Sequence, residues 1–153
     1  MKTKQIKIKY IRDIDPLMII DKGNWIDLRA GKEMFIPEGT ATMIPLGVAM
    51  QLPEKCEAIV APRSSMFKKY GLIQTNSIGI IDSSYCGDKD EWKLPVFCLK
   101  GNTDKDGVKG TIVKKNDRIC QFRLLKNQPT VEFEIVETLG NEDRGGFGST
   151  GEQ

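Results

Sequence analysis

Apolar and polar residues alternate with a period of two in several short segments, and this pattern predicts β-strands. Near the start of the chain, residues 6–10 (IKIKY) place Ile6, Ile8 and Tyr10 on one face and lysines on the other. Near its end, residues 131–137 (VEFEIVE) place apolar side chains on one face and glutamates on the other. We expect a half-buried strand in each segment.

Between these two segments the chain consists of further short apolar runs separated by turn residues. Proline, glycine, asparagine and aspartate occupy the intervals, where they favour turns. Many short strands at fairly even spacing predict an all-β sandwich or barrel. Residues 64–71 (SSMFKKYG) predict one short helix with Ser64 or Ser65 as its N-cap. The strand candidates are residues 43–52, 57–62, 77–82, 95–99 and 118–125.

Composition limits the class of protein. The chain has 153 residues, which is enough for one domain with a real core. Its net charge of +2 is not the strongly basic balance of a nucleic-acid-binding protein. We find no apolar run that would cross a membrane and no signal peptide, so we expect a cytoplasmic protein. The four cysteines include no C-x-x-C pair and are expected to be reduced.

The chain contains no histidine. This excludes Ser-His-Asp triads, Cys-His pairs and every metal site that depends on imidazole. If the protein is an enzyme, its general base is expected to be a carboxylate and any metal ion to be bound through oxygen.

The first stretch whose side chains could bind a ligand is APRSS, residues 61–65. Arg63 offers a guanidinium fork, and Ser64 and Ser65 offer hydroxyl donors at the start of a predicted helical turn. Together these groups suit a phosphate. An ordinary capped turn with a solvated arginine explains the same residues.

The second stretch is residues 76–88, which we predict to form a β-hairpin. Its apolar run ends on Asp82, and Tyr85 follows three residues later. A carboxylate is ionised at neutral pH and could activate a water molecule, while Gly79 would let a planar ligand come close. An aspartate and a tyrosine in a turn are also common without any function.

The third stretch is the glycine-rich end, RGGFGSTG, residues 144–151. Free backbone N–H groups of successive glycines can surround an anion, and Arg144, Ser149 and Thr150 add a charge and two hydroxyls. Phe147 could close over a flat base. A disordered Gly-Ser tail is the alternative.

Taken together and in this order, the motifs resemble the five motifs of the trimeric dUTPases, particularly those of Gram-positive bacteria and their phages. GNWIDLRAG (23–31), APRSS, GIIDSSYCG (79–87), NDRICQF (116–122) and RGGFGSTG correspond to the five in turn. Two departures stand out. Asn116 replaces the usual glycine, and Arg144 and Phe147 are two residues closer together than is usual.

The resemblance implies a jelly-roll-like all-β domain (1–140) with a flexible C-terminal arm (141–153), assembled as a homotrimer with shared active sites. The implied reaction is hydrolysis of dUTP to dUMP and pyrophosphate. This limits uracil incorporation into DNA and supplies dUMP for dTTP synthesis. In the family the second and fourth motifs come from one chain, the third from a neighbour and the fifth from the remaining chain.

The resemblance also implies roles for individual residues. Asp82 would be the general base, Tyr85 would pack on the deoxyribose, and the backbone of Gly79 to Ile81 would bind uracil with help from Asn76. Phosphate-binding residues on the body of the domain would be Arg63, Ser64, Ser65 and Gln121. Those on the arm would be Arg144, Gly148, Ser149 and Thr150.

Mg²⁺ is the implied cofactor, held by the triphosphate and water with Asp27 only in support. Asp117 and Arg118 would be structural, forming an ion pair between chains. The ring over uracil would be Phe147, with Trp92 as the alternative lid. A second reading is a dCTP deaminase of the same fold, with Glu91 as acid/base. A third, additional role is binding of a regulatory protein partner if the chain is phage-encoded.

Overall fold

The computed structural model describes residues 3–146, which form twelve strands and one short helix. The helix, α1, is Met66–Tyr70. The strands are β1 (Lys7–Tyr10), β2 (Ile26–Arg29), β3 (Met34–Pro37), β4 (Ala41–Pro45), β5 (Val48–Gln51), β6 (Cys56–Pro62), β7 (Leu72–Gln74), β8 (Gly79–Ile81), β9 (Lys93–Cys98), β10 (Thr103–Lys105), β11 (Val108–Val113) and β12 (Arg118–Lys126). The predicted all-β class with one short helix is confirmed.

Every strand pairing is antiparallel, and the strands form four small sheets. The largest has the order β2-β12-β6-β8, and β4-β9-β7 forms another. The remaining two are β10-β11-β3 and β1-β5. Strands that are neighbours in a sheet are mostly distant in sequence, as in a jelly roll, so each sheet brings together residues from separate parts of the chain.

The core lies where the alternating faces of these strands meet. In β6, Cys56, Ala58 and Val60 are buried, and the residues between them are only partly covered. Trp92 and Phe122 pack edge to face with their ring centroids 5.3 Å apart. Truncating such a ring to alanine typically costs about 3–5 kcal/mol of stability, so this pair anchors the large sheet.

Helix α1 forms within the predicted segment and ends for a clear steric reason. Gly71 has a φ of +64°, and its N–H bonds to the Phe67 carbonyl at 2.7 Å. A Cβ at this position would lie 1.7 Å from the Lys100 carbonyl oxygen, so only glycine fits. Ser65 occupies the predicted N-cap position but makes no side-chain capping bond. At five residues α1 is far shorter than a bilayer crossing requires, and residues 3–146 contain no longer helix.

Three predicted elements are corrected by the structure. Residues 43–52 are predicted as one strand, but they contribute to two strands, β4 and β5, which lie in different sheets. Residues 131–137 form no strand, and Phe133 and Ile135 are 90% and 98% exposed. The alternating pattern requires a partner edge, and the described part of this one chain supplies none. The predicted hairpin over residues 76–88 is also wrong, because the segment contains a single strand, β8, which pairs with β6, and residues 82–88 form no second strand.

Candidate active site

Residues of the third motif line a cavity of about 470 Å³ beside β8. Gly79 lies opposite Val60 in the sheet, and a Cβ on it would approach the Val60 side chain to 3.2 Å. The missing side chain therefore keeps this wall flat, as a planar ligand requires. The sequence-predicted residues in the wall are Asn76, Gly79, Ile81, Asp82 and Tyr85.

Asp82 follows directly after β8, and its side chain is exposed at the edge of this cavity. Its backbone carbonyl accepts a hydrogen bond from the Tyr85 N–H at 3.0 Å, which fixes the turn. Among the residues that the structure describes, its carboxylate has no hydrogen-bond or ion-pair partner. The carboxylate is therefore available to a ligand or a water molecule in the cavity.

Tyr85 is held in place through its hydroxyl group. The Tyr85 O–H donates to the Glu91 carbonyl at 3.1 Å. Burial, together with the charges of Asp90 and Glu91, raises the pKa of Tyr85 above its usual value. The hydroxyl thus stays protonated and keeps donating, while the ring lines the cavity.

Glu91 is fixed by three hydrogen bonds. Its carboxylate accepts from Arg12 Nε at 2.6 Å, from Arg12 Nη2 at 3.0 Å and from the Gly47 N–H at 3.0 Å. Burial disfavours the charged carboxylate, but these donors outweigh it, so the pKa of Glu91 is lowered. A carboxylate held charged in this way is a poor acid/base, and the deaminase role considered for Glu91 is corrected to a structural one.

Residues of the second and fourth motifs form a separate site at the other end of β6. Arg63 Nε lies 3.0 Å from Asp27 Oδ1, and Arg118 Nη1 lies 3.3 Å from Asp27 Oδ2. Gln121 Nε2 donates to the Pro62 carbonyl at 3.2 Å. Arg63, Ser64, Gln121 and Asp27 line a cavity of about 240 Å³, and Ser65 lies exposed beside it.

Asp27 thus orients two arginines with its two oxygens, and its side chain is only 12% exposed. Both oxygens are committed, so Asp27 is not placed to bind a metal ion directly. Within residues 3–146, no cluster of three or more aspartate, glutamate or cysteine side chains is arranged around a common point for a metal. These residues fit a Mg²⁺ ion that is carried by a ligand's phosphates and water.

Asp82 and Arg63 lie at opposite ends of β6 within one chain. In the β6–β8 register, Ile81 lies opposite Ala58, so Asp82 is at the Cys56 end of β6. Arg63 follows the opposite end, and the intervening length of strand is roughly 20 Å. The Arg63 side chain also turns toward Asp27 on β2, which lies on the side of β6 away from β8.

Two parts of the predicted site remain to be placed. Arg144 is exposed in a segment without regular structure, and Phe147, Gly148, Ser149 and Thr150 lie outside the described residues. Trp92, considered as an alternative lid, is 0% exposed and packs against Phe122. Its ring has no face available to a ligand, and that suggestion is wrong.

Comparison with known proteins identifies the family. The dUTPase family model matches residues 25–151, most of the chain. The chain belongs to the dUTPase family. A SPbeta prophage-derived deoxyuridine 5′-triphosphate nucleotidohydrolase of Bacillus subtilis is 49% identical over 148 residues, covering 96% of this chain and 98% of the relative. A deoxyuridine 5′-triphosphate nucleotidohydrolase of Finegoldia magna is 37% identical over 130 residues, covering 82% and 83%.

Solved dUTPase structures share the fold. The dUTPase of Staphylococcus bacteriophage 80alpha with dUPNHPP superposes with a TM-score of 0.78 at 18% identity, covering 97% of this chain and 99% of that chain. The dUTPase of S. aureus phage phi11, described with a structural Mg(II) ion, gives a TM-score of 0.72 at 15% identity, covering 88% and 98%. The dUTPase match also decides against the deaminase reading.

Sequence reasoning missed two residues at or behind the cavity beside β8. Arg12, which fixes Glu91, carries no local signal because its partner is 79 positions away. Gln74 lines the cavity and is 92% buried. Its signal in the sequence is that it is the one polar residue of the strand LIQ, two positions before the predicted segment 76–88.

Proposed function

We propose that this chain hydrolyses dUTP to dUMP and pyrophosphate in a homotrimer whose active sites combine groups from different chains. The observation that carries the proposal is the separation of Asp82 from Arg63 at opposite ends of β6. A base that activates water at the α-phosphorus and an arginine that binds phosphate must lie within a few ångströms of the same triphosphate. A second chain of the proposed trimer would place them there.

In the proposed reaction, Asp82 accepts a proton from water as the water oxygen attacks the α-phosphorus. A new bond forms between that oxygen and the α-phosphorus. The bond from the α-phosphorus to the bridging oxygen breaks, and the electron pair leaves with pyrophosphate. The exposed Asp82 carboxylate, free of protein partners among the described residues, supports this role.

On the base side, we propose that uracil lies along the backbone of Gly79 to Ile81, with Asn76 beside it. The Tyr85 ring would pack against the deoxyribose and leave no room for a 2′-hydroxyl. Its fixed orientation, through the bond to the Glu91 carbonyl, supports a steric role. Cytosine would leave a buried polar group unpaired, and such mismatches discriminate strongly.

On the phosphate side, Arg63, Ser64, Ser65 and Gln121 would bind the triphosphate, with Arg63 pre-oriented by Asp27. Mg²⁺ would neutralise charge on the phosphate oxygens and retain water ligands. The arm residues Arg144, Phe147, Gly148, Ser149 and Thr150 would close over the nucleotide from a third chain.

The role of Asp82 is tested with Asp82→Asn. We expect dUTP turnover to fall by about 10²–10⁴-fold, the usual contribution of a general base. Affinity for a non-hydrolysable dUTP analogue, measured by calorimetry, should stay near wild type because the amide keeps the shape. Asp88→Asn removes an exposed carboxylate of the same loop that does not line the cavity, and it should remain active. Near-normal turnover by Asp82→Asn would exclude Asp82 as the base.

A regulatory protein partner is a second proposal, supported by the phage relatives alone. The 80alpha dUTPase is described as controlling transfer of virulence genes by a proto-oncogenic G protein-like mechanism. Affinity capture from host extract with Asp82→Asn as bait would separate partner binding from turnover. Capture of no specific protein by either wild type or variant would remove this proposal.

A further inference from the structure

Gln74 occupies the last position of β7, in the wall of the cavity proposed for uracil. Its side-chain NH₂ group is within hydrogen-bonding distance of two neighbouring oxygens. Nε2 lies 3.2 Å from the Val60 carbonyl oxygen and 2.9 Å from Asn76 Oδ1. Its Oε1 is buried without a hydrogen-bond partner among the described residues. An apolar side chain of the same length would fill the space without burying an unpaired polar atom. Packing alone therefore does not account for an amide here.

The Val60 backbone carbonyl determines the orientation of the side-chain amides of Gln74 and Asn76. The Val60 carbonyl is only an acceptor, so the Gln74 atom facing it must be the NH₂ group. The second hydrogen of that NH₂ group points to Asn76, so the Asn76 atom facing it must be the oxygen. The Asn76 NH₂ group is therefore directed away from Gln74.

The turn that carries Asn76 is held rigidly by the backbone. The Ser77 N–H bonds to the Gln74 carbonyl at 3.3 Å, and the Ile78 N–H bonds to the Asn76 carbonyl at 2.5 Å. Ser77 adopts a φ of +55°, which is uncommon for a residue with a side chain. Asn76 is exposed to the cavity, and its NH₂ group has no acceptor among the described residues.

We infer that Gln74 is a positioning residue that sets base selectivity by holding Asn76 with its N–H donors toward the ligand. This inference rests on the proposed function. Donors in this position pair with a carbonyl, which uracil carries at C4. Cytosine carries an amino group at C4, and two donor groups facing each other leave both unpaired. Gln74 itself does not contact the base; it acts through Asn76.

The test compares Gln74→Met with wild type in binding of dUMP and dCMP and in turnover of dUTP and dCTP. Met keeps the length of the side chain and removes the amide, so Asn76 is free to turn. We expect the preference for dUMP over dCMP to fall about tenfold, which is the effect of losing one polar contact that distinguishes the two bases. The KM for dUTP should rise, while kcat stays within about twofold, because the phosphate chemistry is untouched.

Two further variants make the inference specific. Gln74→Glu can only accept hydrogen bonds at neutral pH, so Asn76 should turn its oxygen to the cavity and the preference should shift toward dCMP. In an Asn76→Ala background, Gln74→Met should have no further effect on selectivity, because its action passes through Asn76. Gln51→Met, an exposed glutamine of β5 outside this cavity, is the matched control.

Unchanged selectivity in a folded Gln74→Met protein, or additive effects in the Asn76→Ala background, would overturn the inference. Should Gln74→Met fail to fold, Gln74→Glu supplies the same selectivity measurement. A wild-type protein that binds dUMP selectively but does not hydrolyse dUTP would contradict the proposed function alone. The dUMP and dCMP affinities would still decide the role of Gln74.

Discussion

Tyr85 illustrates how a residue near the proposed substrate depends on one far from it in sequence. Its hydroxyl is fixed by the backbone of Glu91, whose side chain is fixed by Arg12. Arg12 precedes β2 and lies 79 positions from Glu91 in sequence. In the role proposed for it, the Tyr85 ring excludes a 2′-hydroxyl only while it stays in place, so we expect the Arg12–Glu91 ion pair to contribute to specificity as well as to stability.

We therefore expect Arg12→Met to destabilise the fold by about 1–3 kcal/mol at pH 7, because Glu91 stays buried with only one donor. Arg12 is partly exposed, which keeps the effect below that of a fully buried pair. Discrimination of dUTP against UTP should weaken in parallel. Thermal unfolding and the two kcat/KM values measure these effects. Lys9→Met, which breaks an exposed pair with Asp88, should change stability by less than about 1 kcal/mol.

The pH dependence follows from the lowered pKa of Glu91. A carboxyl whose pKa is lower in the folded state contributes stability above its unfolded value, near 4.5. That contribution is lost as the pH falls through the folded value. The gap in melting temperature between wild type and Arg12→Met should thus be full at pH 7 and shrink below pH 4.5. A gap that is constant down to pH 3 would contradict the ion-pair explanation.

At the scale of elements, periodicity predicted those strands whose apolar faces are covered by other parts of the same chain. β6, β9 and β12 fall within or close to their predicted segments, and buried and less buried residues alternate along β6 and β9. Residues 131–137 carry the same pattern and form no strand. Alternation reports that a segment can bury one face, and it does not report which surface covers that face.

The same limit explains why the predicted hairpin is wrong. Residues 76–88 resemble a hairpin locally, but β8 is their only strand, and it pairs with β6 outside the segment. Motifs predict the candidate site residues, because the chemistry of those residues is local. Their division between two ends of β6 depends on register, which no single segment encodes.

The arm is the element with the clearest expected phenotype. Deleting residues 144–153 should lower kcat/KM for dUTP by about 100-fold or more, because closure and phosphate contacts are lost together. Residues 144–146 are exposed and lie in no helix or strand, so unfolding temperature and oligomer size should not change. Deleting only residues 152–153, beyond the matched family region, is the control. Wild-type kinetics in the longer deletion would show that the arm is dispensable.

At the scale of the whole molecule, several apolar surfaces point to burial by other chains. Met18, Ile19 and Phe67 are exposed, and so are Phe133 and Ile135 in the segment that lacks a strand partner. Exposed apolar residues in this number are typical of surfaces that associate. A trimer would cover such surfaces and would also bring Asp82 of one chain to Arg63 of another.

A shared site can be demonstrated by complementation between two inactive chains. Asp82→Asn and Arg63→Gln should each be nearly inactive as homotrimers. Refolded together in equal amounts, they should recover about a quarter of wild-type activity, because that fraction of sites draws an intact residue from each parent in a cyclic trimer. Refolding Asp82→Asn with the Asp82→Asn/Arg63→Gln double variant offers no intact Asp82 and should recover nothing. Recovery no greater than that control would contradict the shared site and would mean that each chain completes its own.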